Sequence, residues 1–213
     1  MLIPVEEFER AVRSAGVECT GVFHVGAHEC EELKCYEINL GIDPTNIVWI
    51  DAMEEKVNEA KARGIPNVYH AVVSDKDDEM ITFNIANSVQ SSSILKLKTH
   101  LQEHPWIHTV SSIIQKSITV DSFFKRNNLD ASKYTIWNFD IQGAELLALK
   151  GATESLKFAK VLYLEVNVKE LYEGCAQMSE IDAFLTPYGF QRSITHMTQH
   201  GWGDAVYVKT TSS

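Results

Sequence analysis

Short apolar runs of strand length alternate along the chain with stretches whose apolar residues recur every three or four positions. Val5, Phe8 and Val12 share one face of a first helix within residues 1–18, and Gly16 is suited to end it. Residues 20–25 follow as a strand. Gly26-Ala27 then turns the chain into a second helix marked by Leu33, Tyr36 and Leu40, with Gly41 as its stop. A strand at 46–51 comes next, and then a helix through Met53, Val57 and Ala60 stopped by Gly64 and Pro66. A β-branched strand at 67–73 completes a βαβαβ order. That order requires a parallel sheet with right-handed crossovers.

Met80 to Ile85 reads as an extra strand or hairpin, and residues 86–115 as the least regular segment, polar and rich in Ser and His. An insertion of that length is more often a lid or substrate loop than a linker. Regular structure resumes at 120–124, with strands at 135–140 and 160–166 flanking a helix from about Gly143 to Lys150. Ser179 with Asp182 resembles a capping box for a helix through Ile181, Phe184 and Leu185, which Pro187 and Gly189 terminate. The last two strands, 190–195 and 204–209, are joined by a turn too short for a helical crossover, so they are expected to pair antiparallel. The pattern predicts an α/β fold: an open sheet that is parallel until its last strands form a C-terminal antiparallel hairpin.

Composition narrows this picture. A chain of 213 residues, 45% hydrophobic, buries one substantial core, so residues 1–213 are expected to form a single domain. The formal charge of −10 disfavours nucleic acid and anionic membrane as partners, because either surface repels the average field of the protein. Cys19, Cys30, Cys35 and Cys175 lack CxxC spacing, which argues against a zinc ribbon and fits reduced thiols in a cytosol. No apolar run reaches membrane-spanning length, and residues 1–8 read as the start of a helix rather than a signal peptide. The expectation is a soluble, cytoplasmic protein.

Candidate chemistry begins at Val22 to Glu29, a strand entering a small-residue turn. Gly26 and Ala27 would let a ligand approach backbone N–H groups, although the same turn also serves packing alone. Asp51, at the carboxyl end of the second strand, stands where a ribose-binding acid is expected; its alternative role is to cap the helix that begins at Met53. Nicotinamide dinucleotides use the same two features. The third glycine of G-x-G-x-x-G is absent, however, and Glu29, Glu31 and Glu32 crowd the place of a pyrophosphate. S-adenosylmethionine carries no phosphate and has a cationic sulfonium and amine, for which an acidic rim is favourable; the same acids could instead complement the helix dipole.

A third signal is Asp140-Ile141-Gln142-Gly143-Ala144-Glu145-Leu146, an acid at a strand end followed by a turn and a helix. With it, the chain resembles the FkbM family of methyltransferases. The matching pieces also include His24-Val25-Gly26-Ala27-His28, Ile50-Asp51-Ala52, Val73-Ser74-Asp75, Gln90-Ser91-Ser92-Ser93-Ile94-Leu95, Leu149-Lys150-Gly151-Ala152, Leu164-Glu165-Val166, Gly189-Phe190 and Gly203-Asp204-Ala205. The resemblance implies a Rossmann-like class I methyltransferase fold, with a mostly parallel seven-stranded sheet, a C-terminal antiparallel hairpin and helices on both faces, together with S-adenosylmethionine as cofactor and O-methylation of a sugar, glycan or secondary-metabolite hydroxyl. Many relatives carry Asp where this chain has His24, so a carboxylate that would orient the donor's amino group is missing. Glu29 or the hydroxyls of Ser91 to Ser93 are the candidates to replace it.

On this reading the donor lies across Gly26, Ala27, His28, Glu29, Asp51, Ala52, Val72, Ser92 and Asp140. The acceptor lies over Asp140, between the 88–109 segment and the Gly201-Trp202-Gly203 turn. Methyl transfer is an in-line displacement, so the protein has to align the acceptor oxygen and remove its proton. Asp140 is the first candidate for that task and Glu165 the second; each has a structural alternative, as a helix cap or a loop anchor. His28 is a further base or pocket residue. His100, His104 and His108 recur every four residues, but Pro105 interrupts any helix that would align them on a metal, and no metal is expected. Trp106, Trp137 and Trp202 are either a sugar-stacking set or buried packing. The rival readings are a nicotinamide-dependent oxidoreductase and a non-catalytic module that keeps the fold.

Overall fold

The computed structural model describes residues 1–99 and 106–210. A seven-stranded sheet forms the centre. Its strands are β1 (Val22–Val25), β2 (Ile47–Asp51), β3 (Val68–His70), β7 (Ile136–Phe139), β8 (Val161–Asn167), β9 (Phe190–Met197) and β10 (Trp202–Lys209), in the order β3-β2-β1-β7-β8-β10-β9. A smaller sheet, β4-β6-β5, is made by β4 (Val72–Val73), β5 (Met80–Ala86) and β6 (Thr109–Ile118). β1, β2, β7 and β8 are parallel and buried along their whole length, as expected of strands covered on both faces. β10 runs antiparallel to both neighbours, inserted between β8 and β9, which gives the predicted closing hairpin.

Alternation along each strand sends side chains to two separate cores. On one face, Val22, Ile47, Trp49 and Ile136 pack with Phe8 and Val12 of α1 (Val5–Ser14) and Val57 and Ala60 of α2 (Glu54–Ala62). On the other, Phe23, Val48, Trp137 and Leu162 pack with Phe123 of α3 (Val120–Arg126), Leu149 of α4 (Glu145–Lys150) and Ile181 of α5 (Met178–Leu185). Helices thus cover both faces. None in the described residues is long and apolar enough to cross a membrane.

Four local expectations need correction. The segment after β1 does not enter a helix at once: His28 and Cys30 take left-handed φ values of 42° and 56°, and a π-helical turn forms at Cys35–Asn39. That wider turn brings Tyr36 into the core beside His24. The strand expected at 67–73 breaks at Ala71, whose N–H still bonds the Asp51 carbonyl at 3.1 Å, after which β4 leaves to pair with β6. The segment 86–115 is partly regular, because β6 begins at Thr109 and pairs with β5 through Met80↔Lys116 and Thr82↔Ile114. Residues 109–114 are exposed on both sides, so no alternation marks them as a strand. Finally, the capping box of α5 lies two residues earlier, where the Glu180 carboxylate accepts the Gln177 N–H at 2.8 Å.

Candidate functional site

The register Val25↔Ile50 and Val25↔Phe139, continued by Phe139↔Leu164, aligns the carboxyl ends of β1, β2, β7 and β8. Gly26, Asp51, Asp140 and Glu165 therefore share one edge of the sheet, where ligands bind in open parallel sheets. Two cavities open there. The first is a cleft of about 610 Å³, counting its mouth open to solvent, with apolar walls from Ile50, Val72, Phe83 and Ile94. The second, about 1360 Å³, is lined by Glu31, Glu32, Glu165, Asp204, Tyr172 and Trp202 among others. They meet at Gly26, His28, Gln90, Asp140 and Gln142, which line both.

Gly26 is required here for a reason other than ligand access. Its φ is +91°, and a Cβ would lie 1.9 Å from the Asp140 carbonyl oxygen. The N–H groups of Gly26 and Ala27 both donate to the Ile50 carbonyl, at 2.9 and 3.0 Å, and are not presented to a ligand. The amides that follow are also satisfied: Glu29 N–H donates to Glu31 Oε2 at 3.1 Å, and Cys30 N–H to the Ala27 carbonyl at 2.6 Å. Ala27 itself is a core residue.

Asp51 is buried at the tip of β2 and held by two backbone donors, His28 N–H on Oδ2 and Met53 N–H on Oδ1, each at 2.7 Å. It thus anchors Met53, the residue that precedes α2, rather than capping the helix itself, and faces the first cavity at once. Burial raises its carboxyl above the ordinary value, and the two N–H bonds restrain that rise. The His28 ring contacts Glu31 through Nδ1 at 2.7 Å. Ala52, Val72 and Ser92 line the first cavity as well, and Ser92 Oγ accepts the Ala86 N–H at 3.1 Å. Glu29 lines neither cavity; it reaches Lys56 at 3.3 Å.

The junction of the cavities is organised by Gln142. Its Nε2 donates to Asp140 Oδ1 at 2.8 Å and to Glu165 Oε2 at 2.6 Å, while Oε1 accepts the Tyr172 hydroxyl at 2.6 Å. Asp140 opens to solvent through the cavities but is enclosed by protein elsewhere. That enclosure and the nearby charge of Asp204 raise its carboxyl. Glu165 is buried and raised further, first by burial and then by Asp140. Asp204 stands opposite Glu165 in the β8–β10 register and accepts hydrogen bonds from the Tyr163 hydroxyl and Leu2 N–H. Glu145 plays a different part: buried at the head of α4, it accepts N–H bonds from Ile141 at 2.9 Å and Gly143 at 3.3 Å, and burial pushes its carboxyl up to about 8.

His24, the departure from the family pattern, faces neither cavity. It lies 3.1 Å from the Tyr36 hydroxyl, which also accepts Asn138 Nδ2 at 2.7 Å, and its ring is 4.8 Å from that of Trp49. Burial lowers it to about 4, so it is a neutral core histidine. His100 and His104 lie outside the described residues, among which no metal-ligating cluster occurs. Of the three tryptophans considered for sugar stacking, Trp202 lines the second cavity, Trp137 is core and Trp106 is exposed.

The structure thus brings Gly26, His28, Asp51, Ala52, Val72, Ser92, Asp140 and Glu165 to one edge and leaves out Ala27 and Glu29. Sequence reasoning missed the organising role of Gln142, the contributions of Tyr172 and Asp204, and the apolar wall from Phe83 and Ile94. A signal for Gln142 and Asp204 existed, since both sit within motifs quoted above.

Comparison with known proteins fits this arrangement. Residues 9–192 match the model of the methyltransferase FkbM domain. Among curated proteins, the chain is 33% identical over 84 residues to the 2-O-methyltransferase NoeI of Sinorhizobium fredii (strain NBRC 101917 / NGR234). That match covers 39% of this chain and 34% of the relative, so the likeness spans about a third of the relative's length. Among solved structures, methyltransferase FkbM from Methylobacillus flagellatus KT superposes with a TM-score of 0.54 at 14% identity, over 90% of this chain and 44% of that one. At that identity the likeness is one of fold. With the family model matched over most of its length, the chain belongs to the FkbM family of S-adenosylmethionine-dependent methyltransferases.

Proposed function

We propose that the protein transfers the methyl group of S-adenosylmethionine to a hydroxyl of a neutral, polyhydroxylated small molecule, of which a sugar or glycan is the simplest example. The observation that carries this reading is the junction itself. An apolar cleft ending on a buried, backbone-held carboxylate meets an acid-lined cavity at Asp140 and Gln142.

The residues present fit the donor. Each Asp51 oxygen takes one backbone N–H and keeps a lone pair for a ribose hydroxyl. Val72, Phe83 and Ile94 offer an adenine apolar surface, and Gly26, His28, Ala52 and Ser92 complete the cleft. When bound, S-adenosylmethionine supplies a methyl carbon already activated by its sulfonium. The fit is worse for a nicotinamide dinucleotide, whose pyrophosphate seeks free loop amides. Those of Gly26, Ala27, His28, Glu29 and Cys30 are all engaged within the protein.

For the acceptor, Glu31, Glu32, Asp140, Glu165 and Asp204 outnumber the Met1 ammonium and give the second cavity an acidic lining, which disfavours phosphates and carboxylates and offers oxygens to the hydroxyls of a neutral acceptor. Trp202 adds an aromatic surface suited to a sugar ring. Asp140 is the group that takes the hydroxyl proton: it opens to both cavities, and a raised carboxyl pKa brings a general base nearer to neutrality. Glu165 orients the acceptor through its remaining oxygen. The partial likeness to a 2-O-methyltransferase supports oxygen as the accepting atom.

The test is transfer of tritiated methyl from S-adenosylmethionine to a panel of neutral glycosides, sugar phosphates, nucleotides and RNA. Alkali-stable label in neutral glycosides is expected, with turnover lowered in Asp140→Asn. Label confined to phosphorylated or nucleic-acid acceptors overturns the acceptor class. Binding of NAD without binding of S-adenosylhomocysteine overturns the donor.

A further inference from the structure

Gln142 occupies a backbone position that its side chain does not favour. Its φ is 56°, in the left-handed region where glycine and asparagine are the usual residues. Strain of this kind persists where surrounding structure over-determines it, and it gathers at functional sites. Every polar atom of the side chain is engaged. The Tyr172 hydroxyl fixes Oε1 as the acceptor, so both Nε2 hydrogens point at carboxylates, one at Asp140 and the other at Glu165. The backbone carbonyl is held as well, accepting Ser93 Oγ at 2.9 Å. A side chain one methylene shorter would not span both carboxylates from the same Cα.

We infer that Gln142 is the positioning residue of the acceptor site, a strained bridge that sets the spacing and orientation of Asp140 and Glu165. This rests on the hydroxyl-methylation reading given above. Two carboxylates that face one cavity repel each other, and a donor shared between them offsets that repulsion and leaves their outer oxygens turned to the acceptor. The bridge also acts on protonation. Within electrostatic reach of Asp140 stand Asp204 from β10, Glu165 and Tyr163 from β8, Glu145 from α4, Glu32 from the loop after β1, the Met1 ammonium, His24 from β1 and Tyr172. Most of these neighbours are acidic and raise its carboxyl, whereas the Gln142 amide restrains the rise in both Asp140 and Glu165.

The variants Gln142→Gly and Gln142→Asn separate positioning from structure, because both residues tolerate a left-handed φ and neither spans the two carboxylates. Four quantities are measured: melting temperature, S-adenosylhomocysteine affinity by calorimetry, carboxyl-carbon NMR titration of Asp140 and Glu165, and methyl transfer to the glycoside panel. Gln142→Gly relieves the backbone strain but removes one partner each from Glu165 and the Tyr172 hydroxyl, so it is expected to stay folded with a melting temperature within a few degrees of wild type, and to keep its donor affinity within about threefold. Both carboxyls should titrate at higher pH. kcat should fall by about tenfold to a hundredfold, the size of one charge-assisted hydrogen bond withdrawn from the reacting geometry. The acidic limb of the pH–rate profile should move upward in step.

Unchanged carboxyl titrations, or turnover within about twofold of wild type, would overturn the inference. So would a fall of melting temperature and turnover together with the titrations unmoved, which is the pattern of a purely structural residue. Absence of S-adenosylhomocysteine binding in the wild type would sink the donor reading instead. The carboxyl titrations still decide the bridge in that case, and also where the wild type labels nothing in the panel.

Discussion

Removing the Asp51 carboxylate probes the ribose placement with a magnitude the geometry supplies. Its two oxygens each hold one backbone N–H at 2.7 Å and leave one lone pair facing the cleft. A hydrogen bond from a hydroxyl to a charged acceptor contributes about 1.5–3 kcal/mol, so losing two of them in Asp51→Ala should weaken S-adenosylhomocysteine binding by about 3–6 kcal/mol. That is a fall in affinity of about two to four powers of ten. The substitution also strips partners from the His28 and Met53 N–H groups, at about 1–3 kcal/mol of folding stability for each buried donor left unpaired. Asp51→Asn is the control. It keeps the volume and one accepting oxygen but turns an amide against one of the two N–H donors, so its affinity should lie between the other two proteins.

Calorimetric titration, paired with urea unfolding to show that each variant is folded, reads both effects. The pH dependence gives a second check. Burial raises the Asp51 carboxyl, so wild-type affinity should weaken as pH falls through a midpoint above the ordinary carboxylate range, and this dependence should vanish in Asp51→Asn. A folded Asp51→Ala that binds S-adenosylhomocysteine within about threefold of wild type would refute the ribose role.

Three further outcomes follow from the same geometry. Gly26→Ala should fail to fold or lose most of its stability, because the new Cβ would overlap the Asp140 carbonyl at 1.9 Å with φ at +91°; thermal melting near the wild-type temperature would contradict this. Glu145 is held at about 8 against an ordinary 4.5, so the folded state keeps a proton that the unfolded chain has lost between those values. Stability should therefore decline as pH rises through that window by up to about 1.4 kcal/mol per unit, and Glu145→Gln should flatten the decline; equal slopes in the two proteins would exclude it. Tyr36→Phe removes the hydroxyl shared by His24 and Asn138, and leaving those groups unpaired in the core should cost about 2–4 kcal/mol in urea unfolding with donor affinity intact. Unchanged stability would show that the buried network contributes little.

The sheet was legible because β1, β2, β7 and β8 are mostly apolar runs bounded by turn residues, interrupted only by polar residues such as His24, Asn138 and Glu165, and the hairpin because its connection is short. The insertion of β10 between β8 and β9 was not legible, since pairing order is a tertiary choice. The break at Ala71 escaped notice for a similar reason: a β-branched run does not record a change of partner. Asp51 could be read from its place at a strand end. Gly26 was singled out correctly but for an incomplete reason, because the demand on it comes from a carbonyl 114 positions further along the chain. Gln142 was hidden by distance, its partners Glu165 and Tyr172 lying 23 and 30 residues away.

The central claim is that an adenosyl group lies across the tips of β1 and β2 with its reactive sulfur turned toward Asp140. A crystal structure of the complex with S-adenosylhomocysteine tests it most directly. Both ribose hydroxyls are expected on the Asp51 carboxylate, the adenine against Val72 and Phe83, and the sulfur facing the acid-lined cavity. A nucleoside bound elsewhere, or an Asp51 carboxylate without contact to the ribose, would contradict it.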